Sequence, residues 1–363
     1  MDKGQEMRVL VTCSWFLKYA VPQAIALERA GADVGLLCRD RPDEFDGSHE
    51  EHRRVLDTAR AAGVEVFRMP GRISSLRSLP EVAGVGRALR AWKPNVVHAH
   101  INDDPRLFAV THGYPTVLTI HDPTPHLGAP PIGRMHEAIN KQWMRRADRV
   151  AVHGEELAEQ LARTMDRATI VIIPHGTTPL EAPLPAPAER AVLLFGRLEP
   201  YKGVRVLLDA MQTVWRERPD VKLVVAGKGP EAHLVPHDPR IDVFRGYLPE
   251  SKVDAIYGQA SLCVLPYLEA SQSGVGLLAL GRGVPTIVSR VGSLAELALD
   301  SSFVVPPGDP TRLAEALIRY IDHDDALRER VLRHAEANFS WRVVAERSLE
   351  IYADLLRATR TAA

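Results

Sequence analysis

Two stretches in the second half of the chain carry side chains suited to holding a phosphorylated ligand. Gly196 and Arg197 follow the apolar run 192–195, and Lys202 and Gly203 come a few residues later. Immediately afterwards Val204, Leu207, Leu208, Met211 and Trp215 recur at helical spacing. A glycine turn that leaves a strand and presents two cations ahead of a helix stands where open α/β sheets bind ligands. Taken alone, the same turn reads as a surface loop with a solvated Arg and Lys. The second stretch sets a carboxylate, Glu269, at a strand end and opens a helix with Ser271, Gln272, Ser273, Gly274 and Val275. Free N–H groups at a helix start suit an oxyanion. A serine there also serves as an ordinary cap, and the two readings are compatible. In the first half, His121 ends an apolar strand in the run T-I-H-D. His98 and His100 alternate on one strand, and core or cleft-edge positions fit them better than a metal pair, which wants a third ligand. Asp322, Asp324 and Asp325 read as a solvated turn, so no metal site is expected.

The elements that position these groups alternate between strand and helix. Strands are expected at 8–13, 33–38, 64–68, 96–100, 116–120 and 169–173, with helices at 18–30, from 49 to 62 and at 80–92. The alternation stops at 174–190, where Pro174, Pro179, Pro183, Pro185 and Pro187 make a stiff linker poor in donors. It restarts with strands at 191–195, 221–226, 241–245, 262–265 and 286–289, and a final amphipathic helix is expected at 341–356. The fold class is therefore α/β, with two Rossmann-like, doubly wound parallel-sheet domains facing each other across a cleft.

Bulk properties narrow the partners. A chain of 363 residues exceeds one ordinary core. A net charge of −1 gives no overall attraction to nucleic acid. Cys13, Cys38 and Cys263 are widely spaced and form no CxxC, which suits buried free thiols in a reducing compartment. No signal peptide or membrane span is apparent, so a cytoplasmic location is expected. Between 68 and 93 the basic residues Arg68, Arg72, Arg77, Arg87, Arg90 and Lys93 face a single Glu81. Such a run is a solvated helix face or a peripheral contact with the inner face of an anionic membrane.

In order and spacing, F-G-R-L-E-P-Y-K-G, V-V-A-G-K-G-P and E-A-S-Q-S-G-V resemble the retaining glycosyltransferases of the GT-B fold, specifically the family 4 type. The terminal F-S-W and long helix resemble that family too, and its last helix crosses back to the first domain. The resemblance implies an N-terminal acceptor-side domain of 1–178 joined by 341–363, a linker of 179–190 and a nucleotide-sugar domain of 191–340. It implies transfer of a sugar from a nucleotide-diphosphate sugar to a hydroxyl of a glycan, lipid or natural product, with neither metal nor cofactor. Arg197 and Lys202 match the pair gripping the diphosphate, and Glu269 matches a contact to the sugar hydroxyls. Gly196 and the 271–275 loop match groups approaching sugar and phosphate, and His121 matches a histidine facing the sugar. Gly227, Arg245, Gly246 and Tyr247 match the edge that receives the base.

Two departures stand out. The family's second glutamate, which holds the ribose, falls at Leu277 or Leu278, whose side chains accept no hydrogen bond. The glycine pair after the first strand is replaced by T-C-S-W-F-L-K-Y, so Ser14, Trp15, Phe16 and Lys18 shape the acceptor side or pack on the neighbouring helix. The missing glutamate also keeps open a second function: a catalytically silent relative that binds a sugar nucleotide or a partner enzyme.

Overall fold

The computed structural model describes residues 7–45, 47–70, 79–100, 104–122, 134–246, 248 and 250–362. The chain divides into two compact units. The first comprises Met1–His121, Pro131–Gly176 and Trp341–Ala363; the second comprises Asp122–Pro130 and Thr177–Ser340.

The first unit is built on β1 (Arg8–Cys13), β2 (Asp33–Arg39), β3 (Glu65–Met69), β4 (Val96–His100), β5 (Thr116–Thr119), β6 (Arg149–Val152) and β7 (Ile170–Ile172). They pair in parallel in the order β3-β2-β1-β4-β5-β6-β7. The intervening helices are α1 (Leu17–Arg29), α2 (His49–Ala61), α3 (Leu79–Trp92), α4 (Pro105–Val110), α5 (Arg134–Arg146) and α6 (Glu155–Leu161). Successive strand residues point to opposite faces. Accordingly Val9 and Val11 pack with Leu27 and Val34, while Leu10 packs with Leu37, Val97 and Leu118. Both faces are covered, as a parallel sheet requires. The sequence reading lacks β6, α4, α5 and α6; V-A-V between Asp148 and His153 is too short to show a period.

The second unit repeats the plan with β8 (Ala191–Phe195), β9 (Lys222–Gly227), β10 (Ile241–Arg245), β11 (Leu262–Leu265), β12 (Thr286–Ser289) and β13 (Val304–Val305). Its sheet is parallel in the order β10-β9-β8-β11-β12-β13. Its helices are α7 (Val204–Glu217), α8 (Glu250–Gly258), α9 (Gly274–Gly281), α10 (Pro310–Tyr320) and α11 (Asp325–Phe339). Strand order therefore reverses between β1 and β4 in one unit and between β8 and β11 in the other, the points at which such sheets bind ligands. The proline-rich segment is anchored to the second unit: Thr177 N–H donates to Phe339 O (2.7 Å) and Leu180 N–H to Gly281 O (2.7 Å).

The last helix, α12, runs over Trp341–Ala362, a turn and a half past the expected end at Leu356. Apolar periodicity stops at Leu355, but Arg357, Ala358 and Arg360 are good helix formers and extend it into solvent. Val344, Ala345, Ile351, Tyr352 and Leu355 bury its inner face in the first unit's core. Cys13, Cys38 and Cys263 are buried free thiols. Among the described residues no helix is long and apolar enough to cross a membrane.

Candidate functional site

At the reversal point of the second unit, two loops form one continuous wall. β8 ends in Gly196, Arg197 follows, and a short 3-10 turn (Pro200–Lys202) leads to Gly203 and α7. Gly203 has φ 68°, and a Cβ there would lie 1.9 Å from the carbonyl oxygen of Pro266, so only glycine lets the turn lie against the end of β11. Leu268 N–H then donates to Tyr201 O (2.7 Å), tying the Glu269 loop to the Lys202 loop.

Lys202 is the central cation. Its Nζ sits 3.8 Å from the Tyr267 ring centroid and 5.0 Å from that of Tyr201, where the ring faces attract it. Burial, with the neighbouring Arg197 second, lowers its pKa to about 7, against the opposing pull of Asp122 and Glu199. Arg197 is exposed, with Glu199 3.9 Å away.

Glu269 is exposed at the tip of the second loop, and Ser271 behind it is buried. Ser273 caps α9, accepting from Gly276 N–H (3.4 Å), and its hydroxyl lies 3.3 Å from that of Tyr267. Gln272 accepts from Ser273 N–H (2.8 Å), while its buried Nε2 has no partner among the described residues. Gly274 is exposed and Val275 half-buried at the start of α9. On the other side of β8, Gly227 has φ 150°, and a Cβ there would be 1.8 Å from Gly196 O. Gly246 N–H donates to Gly227 O (3.2 Å), and the exposed Arg245 reaches Ala232 O (3.4 Å). The carboxyl edge of one sheet thus gathers Gly196, Arg197, Lys202, Gly227, Arg245, Gly246, Glu269 and the 271–275 loop. Tyr247 lies outside the described residues. Leu277 is buried in the core and Leu278 packs against it.

The corresponding point of the first unit is filled from within. Ser14, Trp15 and Phe16 follow β1; Phe16 has φ 71° and stacks on His121 with ring centroids 4.6 Å apart. The first amides of α1 are taken: Leu17 N–H (2.6 Å) and Lys18 N–H (3.0 Å) donate to the Glu44 carboxylate. Burial raises the Glu44 pKa and those amides oppose the rise. Lys18 Nζ is 4.0 Å from Glu51 and lies over the Phe45 ring. The sequence reading missed Glu44, which sits in a 3-10 turn with no motif around it.

His121 is only 7% exposed and both its ring nitrogens are engaged, with His100 (3.2 Å) and His153 (2.9 Å). Burial, then the neighbouring imidazoles, hold its pKa well below the ordinary histidine range. His98 and His100 are fully buried. The sequence reading missed His153 and His175, although each follows an apolar strand as His121 does. Among the described residues no group of three His, Cys, Asp or Glu could hold a metal ion. Two expected solvated groups have structural duties. Asp322 pairs with Arg190 and Arg218, and Asp324 caps α11 at Leu327 N–H (3.0 Å). In the basic run, Arg68 pairs with Asp40 and Arg87, Arg90 and Lys93 are exposed; Arg72 and Arg77 lie outside the described residues.

Comparison with known proteins agrees with this plan. Residues 18–179 match the profile described as Glycosyltransferase Family 4, and residues 189–323 match that of Glycosyl transferases group 1. The chain is 28% identical over 373 residues to the phosphatidyl-myo-inositol mannosyltransferase of Mycobacterium leprae, covering 88% of this chain and 96% of that protein. It is 27% identical over 296 residues to the glycogen synthase of Mycobacterium tuberculosis, covering 75% of this chain and 71% of that protein. Among solved structures, Anabaena Alr3699/HepE in complex with UDP-glucose superposes with a TM-score of 0.67 at 15% identity, over 96% of this chain and all of that one. Two parallel α/β sheets of the same strand order, a cation pair at the second reversal point and two family profiles side by side lead to one assignment: the chain belongs to the family 4 glycosyltransferases of the GT-B fold.

Proposed function

We propose that this glycosyltransferase moves a sugar from a nucleoside-diphosphate sugar to an acceptor hydroxyl, with retention of configuration and without a metal. The observation that carries the reading is Lys202. A mostly buried ammonium, held on an aromatic face and paired with no carboxylate among the described residues, suits a dianionic ligand. HepE, which shares the fold, is seen with UDP-glucose, and that supports a sugar nucleotide as the donor here.

In this reading Arg197 and Lys202 stabilise charge that develops on the diphosphate as the glycosidic bond breaks. Glu269 accepts hydrogen bonds from sugar hydroxyls. The amides at the start of α9, with Gln272 Nε2, meet sugar or phosphate oxygens. Gly227, Arg245, Gly246 and Tyr247 form the edge for the base. With Leu277 and Leu278 in place of an acceptor, the ribose is held without a side-chain carboxylate. His121 faces the sugar, and Ser14, Trp15, Phe16 and Lys18 belong to the acceptor side. Retention follows from front-face attack, in which the acceptor oxygen bonds to the anomeric carbon as the diphosphate leaves, and a donor phosphate oxygen takes the acceptor proton.

The test is release of nucleoside diphosphate from a panel of sugar nucleotides, with and without added acceptors. Release from at least one of them, strongly reduced by Arg197→Ala and by Glu269→Gln, supports the reading. Undiminished transfer by Arg197→Ala overturns the site. No release from any donor, with binding retained in a thermal-shift screen, favours the silent relative.

A further inference from the structure

The first unit holds a buried run of imidazoles that the proposed chemistry leaves unexplained. His98 and His100 lie on β4, His121 follows β5 and His153 follows β6, each under 8% exposed. Three rings are joined end to end. His100 Nδ1 is 3.2 Å from His121 Nε2, and His121 Nδ1 is 2.9 Å from His153 Nε2. At the far end His153 Nδ1 is 3.0 Å from the carbonyl oxygen of Ile173.

The carbonyl only accepts, so His153 must carry a proton on Nδ1. A neutral imidazole has one such proton, so His153 Nε2 is a lone pair and His121 donates to it from Nδ1. The same step puts the His100 proton on Nδ1 and leaves His100 Nε2 as an acceptor. That nitrogen is 2.7 Å from the side-chain amide of Gln23 on α1. With the amide oxygen turned to His100, four hydrogen bonds need four ring protons, one more than three neutral rings hold. With the NH₂ turned to His100, three suffice, and the two senses differ by a half-turn. The second sense points the amide oxygen at His98 Nδ1, at the amide's other end 3.3 Å away. His98 then donates from Nδ1, and its Nε2 accepts from the Thr119 hydroxyl (2.6 Å).

The neighbours favour the neutral count. Burial, with other imidazoles adding to it, pushes His98 down to about 3 and His100 and His121 well below their usual range. The titratable groups packed on the run are Tyr19 from α1, His175 after β7 and Tyr352 from α12, whose hydroxyl bonds His98 Nδ1. Burial raises both tyrosines, so neither contributes charge near neutrality.

We infer that Gln23 and the Ile173 carbonyl polarise an all-neutral relay in which His98, His100, His121 and His153 each hold their proton on Nδ1, making Gln23, His100 and His153 positioning residues for His121. The inference rests, for its functional half, on the reading that His121 faces the sugar. It specifies the role there: His121 has no free ring nitrogen, so it presents a fixed ring and its main chain rather than a proton acceptor.

The experiment is long-range ¹H–¹⁵N correlation on the full chain labelled with ¹⁵N-histidine, which reads tautomer and charge ring by ring without any assay of turnover. The expected result is four neutral Nδ1–H rings at neutral pH, with those of His98, His100 and His121 unchanged down to about pH 5.5, a unit below an ordinary histidine. An Nε2–H tautomer or an imidazolium at any of the four overturns the inference. Gln23→Glu replaces the amide with groups that only accept; one ring of the run is then expected to become imidazolium at pH 7. Persistence of neutral Nδ1–H rings in that variant overturns the role of Gln23. The wild-type spectrum reads all four rings even if Gln23→Glu does not fold. In the same variant the pH profile of turnover should gain a step between about pH 6 and 8. A changed spectrum with an unchanged profile overturns the positioning of His121. A protein that turns over no donor defeats the glycosyl-transfer reading and leaves the spectral test intact.

Discussion

The two units share a strand order and treat its reversal point in opposite ways. In the first, the opening amides of α1 are spent on Glu44, Lys18 lies beside Glu51, and both nitrogens of His121 are spent on other histidines. In the second, among the described residues, Lys202 rests on Tyr267 without an ion pair and Gln272 Nε2 lacks a partner, while Arg197 is exposed with Glu199 3.9 Å away. One end engages its polar groups internally; the other holds the Lys202 ammonium on an aromatic face and leaves Gln272 Nε2 without a partner among the described residues, at some cost in desolvation. The same topology therefore builds a self-contained scaffold in one copy and, on the proposed reading, an anion-binding edge in the other. Local residues decide which.

The largest effect should come from the open end. Lys202→Ala is expected to lower kcat with the sugar nucleotide that supports transfer by roughly 10²–10³-fold, the scale for losing one preorganised charge-stabilising donor. Lys18→Ala, at the closed end, should cost less than about tenfold, because its ammonium already lies by Glu51 and over Phe45. Equal losses would break the comparison.

Stability distinguishes the two ends next. Gly203→Ala places a Cβ 1.9 Å from Pro266 O at φ 68°, so both strain and a backbone clash apply. A loss of about 2–4 kcal/mol in urea unfolding is expected. Gly47→Ala, in the first unit, has φ 85° and open space around the new methyl. Strain alone should cost it about 1–2 kcal/mol. A Gly203→Ala protein as stable as Gly47→Ala would mean that the Lys202 and Glu269 loops are not locked together.

The open end should also show itself in pH dependence. Lys202 is depressed to about 7 in the free protein. A folded pKa below the unfolded one makes unfolding take up a proton between those values, so this group's penalty is absent above the unfolded pKa and grows as pH falls toward 7. A bound diphosphate favours the charged form, so binding takes up a fraction of a proton at pH 8 and affinity for nucleoside diphosphate falls as pH rises above about 7. Calorimetry in buffers of different ionisation heat measures that uptake. Lys202→Arg, charged throughout, should remove it.

The edge proposed for the donor was legible in the sequence because its residues lie in short runs: Gly196 to Gly203 and Glu269 to Val275 each leave a strand and enter a helix. The parallel, doubly wound class of both units was legible through the alternation of strand and helix, while the strand order came only with the fold. Glu44 was not, because a carboxylate in a loop gains its meaning only when the fold sets it against α1, 26 residues away in sequence from Lys18. His153 and His175 were missed for the same reason: each ends a different strand, and only the sheet brings them beside His121. Lys18 looked available because sequence does not display Glu51 and Phe45 around it. The end of α12 escaped because helix propensity carries Arg357 to Ala362 past the last buried residue.

The smallest predicted effect tests the closed end directly. Glu44→Gln keeps one acceptor for the α1 amides but sets an NH₂ against the other N–H, which should cost about 1 kcal/mol at acidic pH. Burial raises the Glu44 pKa, so the folded state holds this proton more tightly than the unfolded state does. Its contribution is full below the unfolded value and is lost as pH rises through the folded one. The gap between wild type and Glu44→Gln, measured by urea unfolding at pH 4 and pH 7, should therefore narrow as pH rises. A gap that widens would mean that the α1 amides stabilise the anion more than burial penalises it. The first unit's reversal point would then bind negative charge as is proposed for the second, with Glu44 standing in the place of a ligand.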